Sequence, residues 1–283
     1  MKRQSVLGML SVVGLSVVVA ACASKNTAST STDDTAAPGE DVSQTESDTE
    51  ALATLHVGTS GSSLAPATFG GGGDIHVQGA VGAALGAELQ PAGCVTETAG
   101  VGTVTYVYAG CSGPWGLVHL TGTVTVAYSS TGPDDLTLKF SASNFQINGA
   151  TLSTWTAEAD ITASGAQRTM VWTASLAGTT KSGRDFTRTN DKTITWNVGG
   201  ATTCVGINGT SDGTISGDDL KTTVVSYQRC TGACPQAGSE ITIQNETNGK
   251  EVDVKYDGGD LATVTLTEGG KTGSIDLILA CGL

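Results

Sequence analysis

The sequence predicts an all-β fold: an antiparallel meander forming a twisted sandwich or an open barrel-like sheet, with at most one short N-terminal helix. Three observations carry this expectation. Of 283 residues, 39 are Gly and 43 are Thr, a composition of strands and turns rather than of helices. Apolar residues alternate with Thr along successive segments, the period-2 pattern of a half-buried strand. Asn-Gly and Gly-Gly pairs separate several of those segments and supply the positive φ angles of tight hairpins.

The charge balance narrows the partners. There are 27 acidic and 14 basic residues, a formal net charge of −13. A nucleic-acid binder needs a basic footprint, and this chain would repel phosphate. No cofactor motif is present, because the Gly70–Gly73 run lacks the Lys and the strand–helix context of a phosphate loop.

The first element is a leader. Lys2 and Arg3 precede an uncharged apolar run from Val6 to Ala21. Its length and one-sided charge fit a secretory signal rather than a membrane span. Its end, Val19-Ala20-Ala21-Cys22, resembles the lipobox of bacterial lipoproteins: an aliphatic residue, two small ones, then Cys. The resemblance implies that the Cys22 thiol takes a diacylglycerol, that cleavage falls just before it, and that the new amino group is acylated. Ala23 stands where the enterobacterial inner-membrane signal has Asp, which points to the outer membrane. The expected organisation is a signal peptide at 1–21, a lipidated Cys and acidic tether at 22–54, and a β domain at 55–283, with a subdivision near residue 200 left open. Residues 23–54 hold seven acidic side chains against one Lys and almost no large apolar group. Such a stretch buries too little surface to offset its ordering entropy.

Within the domain, Val77 to Leu89 has Val81, Leu85 and Leu89 spaced four apart, and is the one candidate helix. Gly79, Gly82 and Gly86 each weaken it by about 1 kcal/mol. After Pro91 strands follow one another, marked by Val104/Tyr106/Tyr108, Val124/Val126/Tyr128 and Leu136/Leu138/Phe140. Thr151–Thr162, Thr169–Leu176, Thr193–Val198 and Thr222–Gln228 continue the series. The C-terminus reads as four strands, Glu240–Glu246, Glu251–Tyr256, Leu261–Thr267 and Gly273–Ala280. Their shared face would bury Ile241, Ile243, Val252, Val254, Tyr256 and Val264, and beyond them Leu266, Ile275, Leu277 and Leu279.

With Cys22 lipidated, six of seven Cys remain, an even number that suggests three disulfides in an exported chain. Cys94 and Cys111 flank one hairpin, and Cys204 and Cys230 flank another that turns near Gly209–Asp219. Four strands return the chain to its starting end, which brings Cys281 to Cys234. The expected pairs are therefore Cys94–Cys111, Cys204–Cys230 and Cys234–Cys281. The last four leave open a swap of partners.

Three constellations carry possible chemistry. Asn208 to Leu220 is similar to an EF-hand-type calcium loop, with Asn208, Asp212, Ser216 and Asp219 as the weak candidate ligands. It departs from that pattern at Asn208 and Thr210, and its flanks read as strands. Trp155, Trp172 and Trp196 fall on successive strands and could line up as a stacking platform for carbohydrate, with Arg184 and Arg188 nearby; core packing is the commoner fate of Trp on such strands. Asp134/Asp135 and Glu158/Asp160 are the carboxylate pairs a glycoside hydrolase would need, and His119 is the one strand histidine a Ser–His–acid set would use. No G-x-S-x-G motif accompanies it.

Pro91-Ala-Gly-Cys94, Cys111-Ser-Gly-Pro-Trp-Gly116, Arg229-Cys-Thr-Gly-Ala-Cys-Pro235 and Leu277-Ile-Leu-Ala-Cys281 resemble motifs of uncharacterised β-rich lipoproteins of myxobacteria-like Gram-negative bacteria. That resemblance implies an envelope lipoprotein with a structural or binding role and supplies no catalytic residue. A carbohydrate-binding module and a wall or polysaccharide hydrolase are the alternatives. The expected partners are the bilayer, through Cys22, and an envelope polysaccharide or protein.

Overall fold

The computed structural model describes residues 89–112, 119–132, 134–197, 204–230 and 232–279. The leader, the tether and all of the candidate helix at 77–89 but its last residue lie outside this set, as do Cys22 and Cys281. Among the described residues every regular element is a strand, and all fourteen belong to one antiparallel sheet. The all-β meander expected from the sequence is what forms. It is a single hydrogen-bonded sheet rather than two.

The strands run β1 (Val95–Gly100), β2 (Thr103–Ser112), β3 (His119–Ser129), β4 (Asp135–Ala142), β5 (Phe145–Ile147), β6 (Ala150–Ser164) and β7 (Gln167–Thr179). They continue as β8 (Asp185–Asn197), β9 (Cys204–Ile215), β10 (Asp218–Cys230), β11 (Glu240–Asn245), β12 (Lys250–Tyr256), β13 (Leu261–Glu268) and β14 (Lys271–Ile278). Each pairs with its sequence neighbours, with one exception. β4 and β5 together fill one lane between β3 and β6. The lane breaks at Asn144, whose φ of 53° turns the chain between its two halves. Gly122, on β3 beside this break, has φ 115°, and a Cβ there would press on Phe145 Cα at 3.2 Å.

Period-2 alternation explains which face is dry. On β7, Arg168, Met170, Trp172, Ala174 and Leu176 are buried while the residues between them are half-buried or exposed. The same phase runs through β2 to β10, and those inward side chains form one core. Its centre is aromatic. Phe140 stacks on Trp155 at 5.6 Å and meets Trp172 edge-on at 5.9 Å. Phe145 links Trp155, at 6.1 Å, to Tyr108, at 5.9 Å. The outward face is largely Thr and Ser, paired across strands as in Thr187–Thr214 at 2.9 Å.

The last strands have their own smaller core, built on Val224, Tyr227, Ile241, Val254, Ala262 and Val264. A bulge in β10 between Val224 and Tyr227 resets the phase, so these two residues, three apart, face the same side. Asn208 Oδ1 fixes the bulge by accepting from Ser226 N at 2.6 Å. The sequence-based expectation of one buried C-terminal face holds only in part. Ile243, Val252, Tyr256, Leu266, Leu277 and Leu279 are half-buried, and Ile275 is 56% exposed. Burial falls off toward β14 because that strand has a neighbour on one side only among the described residues.

Two expected disulfides are present. Cys94–Cys111 ties the chain before β1 to β2, with Cα atoms 5.3 Å apart. Cys204–Cys230 joins directly opposed residues at the open end of the β9–β10 hairpin. Cys234 is also disulfide-bonded. Its expected partner, Cys281, lies outside the described residues.

Candidate functional site

The residues singled out for chemistry are dispersed. Trp155 and Trp172 have no solvent exposure and Trp196 has 8%. They sit on the inward phase of β6, β7 and β8, packed in the core, so the candidate stacking platform is not exposed. Arg188, expected beside it on the surface, is 2% exposed. The weak calcium candidate is a polar hairpin end. Asn208 and Asp212 lie on the outward face of β9, Ser216 sits in its turn and Asp219 is on β10. Asn208 and Asp212 lie four strand positions apart, about 13 Å, too far for one ion. Asn208 holds the β10 bulge, and Asp212 lies 3.9 Å from Lys221. The turn falls at Ser216-Gly217, both with positive φ, as a two-residue hairpin requires. No group of three or more His, Cys, Asp or Glu is placed to hold a metal among the described residues.

The carboxylate pairs are engaged separately. Asp135 accepts from Thr131 N and Oγ1 at 2.5 and 2.6 Å and closes the turn before β4. Those hydrogen bonds hold its carboxyl below the ordinary value. Glu158 pairs with Lys139 at 3.2 Å, and Asp160 accepts from Thr137 Oγ1 at 2.6 Å. His119 Nδ1 lies 2.9 Å from Ser112 Oγ on the exposed end of β2–β3. No carboxylate bonds to this pair among the described residues, so the third member of a triad is missing there. The buried Tyr106 and Tyr128 hydroxyls bond each other at 2.9 Å. Burial pushes the Tyr106 phenol up to about 12, so it stays protonated at neutral pH.

What the fold does bring together is a buried polar patch on the inward faces of β8, β9 and β10. Arg188, Asn190 and Lys192 occupy alternate positions of β8, all at least nine-tenths buried. Cross-strand register sets Asn190 opposite Ser211, and Ser211 opposite Thr222. Gly213 and Gly209 stand opposite Arg188 and Lys192. Both glycines are dictated by the backbone: a Cβ at Gly209 (φ 143°) would lie 2.2 Å from Asp191 O, and one at Gly213 1.9 Å from Thr187 O. The absence of a side chain at Gly213, opposite Arg188, leaves room for a long side chain to pass over β9. Arg188 does so, and its guanidinium donates to Leu220 O at 2.6 Å and to Thr222 Oγ1 at 2.9 Å on β10. These bonds offset the cost of burying the cation.

Not every polar atom of the patch is satisfied. Asn190 Nδ2 and Oδ1 and Ser211 Oγ find no hydrogen-bond partner among the described residues, and neither do the Nε1 atoms of Trp155 and Trp172. A buried amide without partners costs about 1–3 kcal/mol, so its retention singles out this place. The five residues Arg188, Asn190, Lys192, Ser211 and Thr222 offer hydrogen bonds and positive charge, but include no carboxylate, imidazole or thiol. Chemically the patch suits holding a polar molecule. Sequence reading missed it because Arg, Asn and Lys break the apolar alternation. The available signal was parity: counting back by twos from Ile194 and Trp196 puts Lys192, Asn190 and Arg188 on the buried face.

No protein-family model, no curated protein and no solved structure matches the chain.

Proposed function

We propose that this protein is an acylated lipoprotein of the bacterial envelope, held at the outer membrane through Cys22, whose disulfide-braced sheet serves a structural or binding role rather than catalysis. The observation that carries the reading is the leader: Lys2-Arg3, an uncharged apolar run, and Val19-Ala20-Ala21-Cys22. The two described disulfides support it, since such bonds persist in oxidising compartments. Two or three acyl chains, at about 0.8 kcal/mol for each buried CH₂, make the attachment stable. Metabolic labelling with palmitate tests the proposal. The wild-type chain takes the label and fractionates with outer membranes; Cys22→Ala does neither. A Cys22→Ala chain that still labels refutes it.

Within that role, the unsatisfied Asn190–Ser211 pair favours binding over pure support. The ligand would be small and polar. Native mass spectrometry of the full chain purified from its envelope would show it as added mass that Asn190→Ala removes. A mass equal to the acylated chain alone argues for the purely structural role.

A further inference from the structure

The sheet ends in two very different edges. β1 carries Glu97 at its middle and is stapled beside Cys94–Cys111. β14 carries Lys271 and Asp276 but, among the described residues, nothing covers its outer side. It has no Pro, and its register with β13 is unbroken from Glu268↔Lys271 to Leu261↔Ile278. It also presents Ile275 at 56% and Ile278 at 81% exposure. The apolar rows of the last meander run out into it: Val224, Ile241, Val254, Val264 and Ile275 are successive cross-strand partners.

Hydrogen-bond parity says which groups of β14 are free to pair. Leu279 N donates to Asp260 O at 2.7 Å, back toward β13. Backbone groups alternate in direction along an antiparallel strand. Lys271, Gly273, Ile275 and Leu277 therefore bond β13, while Thr272, Ser274, Asp276 and Ile278 aim their N–H and C=O groups outward.

We propose that β14 pairs antiparallel with β14 of a second copy, about a two-fold axis at Ile275. One register uses all four outward residues, and it is self-complementary. Thr272 faces the second copy's Ile278, and Ser274 faces its Asp276, so a hydroxyl meets a carboxylate rather than two carboxylates meeting. On the apolar side Ile275 faces Ile275, and the small Gly273, around which nothing lies within 4 Å of a would-be Cβ, faces Leu277. Lys271 comes opposite Leu279, whose N–H is held by Asp260, so each ammonium approaches an acidic turn of the other copy. The same surface serves both copies, as a closed two-fold interface requires. Its size is small, so affinity in solution is roughly micromolar. Confinement to a surface raises the effective concentration.

Sedimentation of the full chain in detergent, across sub-micromolar to several hundred micromolar concentrations, tests this. The mass rises from monomer to dimer and stops. Ile275→Lys, which sets two ammonium groups face to face, raises the dissociation constant about tenfold or more. Ser274→Pro does the same by removing an outward N–H without touching the β13 ladder. If either variant unfolds, as read by circular dichroism, mixing decides: Ser274→Asp alone dimerises poorly, and combined with Asp276→Lys it forms the mixed dimer preferentially. A chain that stays monomeric throughout, grows beyond the dimer, or dimerises unchanged as Ser274→Asp overturns the proposal.

Discussion

The stretch from β6 to β9 and the meander from β11 to β14 are opposites. In the meander the apolar alternation is nearly perfect, yet many of its inward residues are only half-buried and Ile275 is open to solvent. In β8 and β9 the inward positions hold Arg188, Asn190, Lys192, Ser211 and two glycines, yet the four polar side chains are all at least nine-tenths buried. Alternation therefore reports which side chains share a face. It does not report how well that face is covered, which depends on how many lanes lie on either side.

Four experiments would break or sharpen this contrast. The largest effect belongs to the aromatic centre. Trp155→Ala should cost about 3–5 kcal/mol in urea unfolding, because it empties space against Phe140 and Phe145. Ile275→Ala should cost under about 0.5 kcal/mol in the monomer, as surface changes do. Comparable losses would erase the difference between the regions.

Next is the low strand. Gly209→Ala should destabilise by about 1–3 kcal/mol, since a Cβ there meets the β8 backbone and the φ is unfavourable. An unchanged midpoint would mean that β9 relaxes and does not need its glycines.

Ser211→Ala should have the opposite sign, a gain of about 1 kcal/mol, because it removes a buried hydroxyl that has no partner. A loss of stability would show that the hydroxyl is bonded after all and is part of the patch's working order.

The smallest effect concerns pH and the meander. Burial tends to raise the Asp253 carboxyl, but hydrogen bonds from Lys255, 2.9 Å away, and Thr242 hold it below its ordinary 3.8. A depressed folded value contributes stability above about pH 4, and that contribution disappears as pH falls through the folded value. Thermal melts of wild type and Asp253→Asn should differ at neutral pH and converge in acid. A constant gap would assign Asp253 no role in acid sensitivity.

Much of the fold was legible. The hairpins at Asn248-Gly249, Gly258-Gly259 and Gly269-Gly270, and the first two disulfides, followed from turn chemistry and from cysteines placed at hairpin mouths. β9 was not legible, because polar and glycine residues in a row look like a liganding loop. Only the register with β8 reveals Gly209, Ser211 and Gly213 as the residues opposite Lys192, Asn190 and Arg188. The three Trp residues were placed on the correct strands, but sequence alone left their face undecided. Their inward phase is fixed by neighbours such as Leu152, Ile161, Met170 and Ile194, all buried.

The lane-by-lane order of the sheet, β4 and β5 sharing one lane, has a further consequence for how the chain acquires its shape. Each lane needs only the strand just before it, and loop closure between adjacent strands is entropically cheap compared with distant pairings. Both described disulfides obey the same rule: Cys94 meets the next cysteine along the chain, Cys111, and Cys204 meets the next after it, Cys230. A chain threaded N-terminus first through a translocon would present its thiols in the order in which they pair. An oxidant acting on them as they emerge would form these native bonds directly, without later exchange between disulfides.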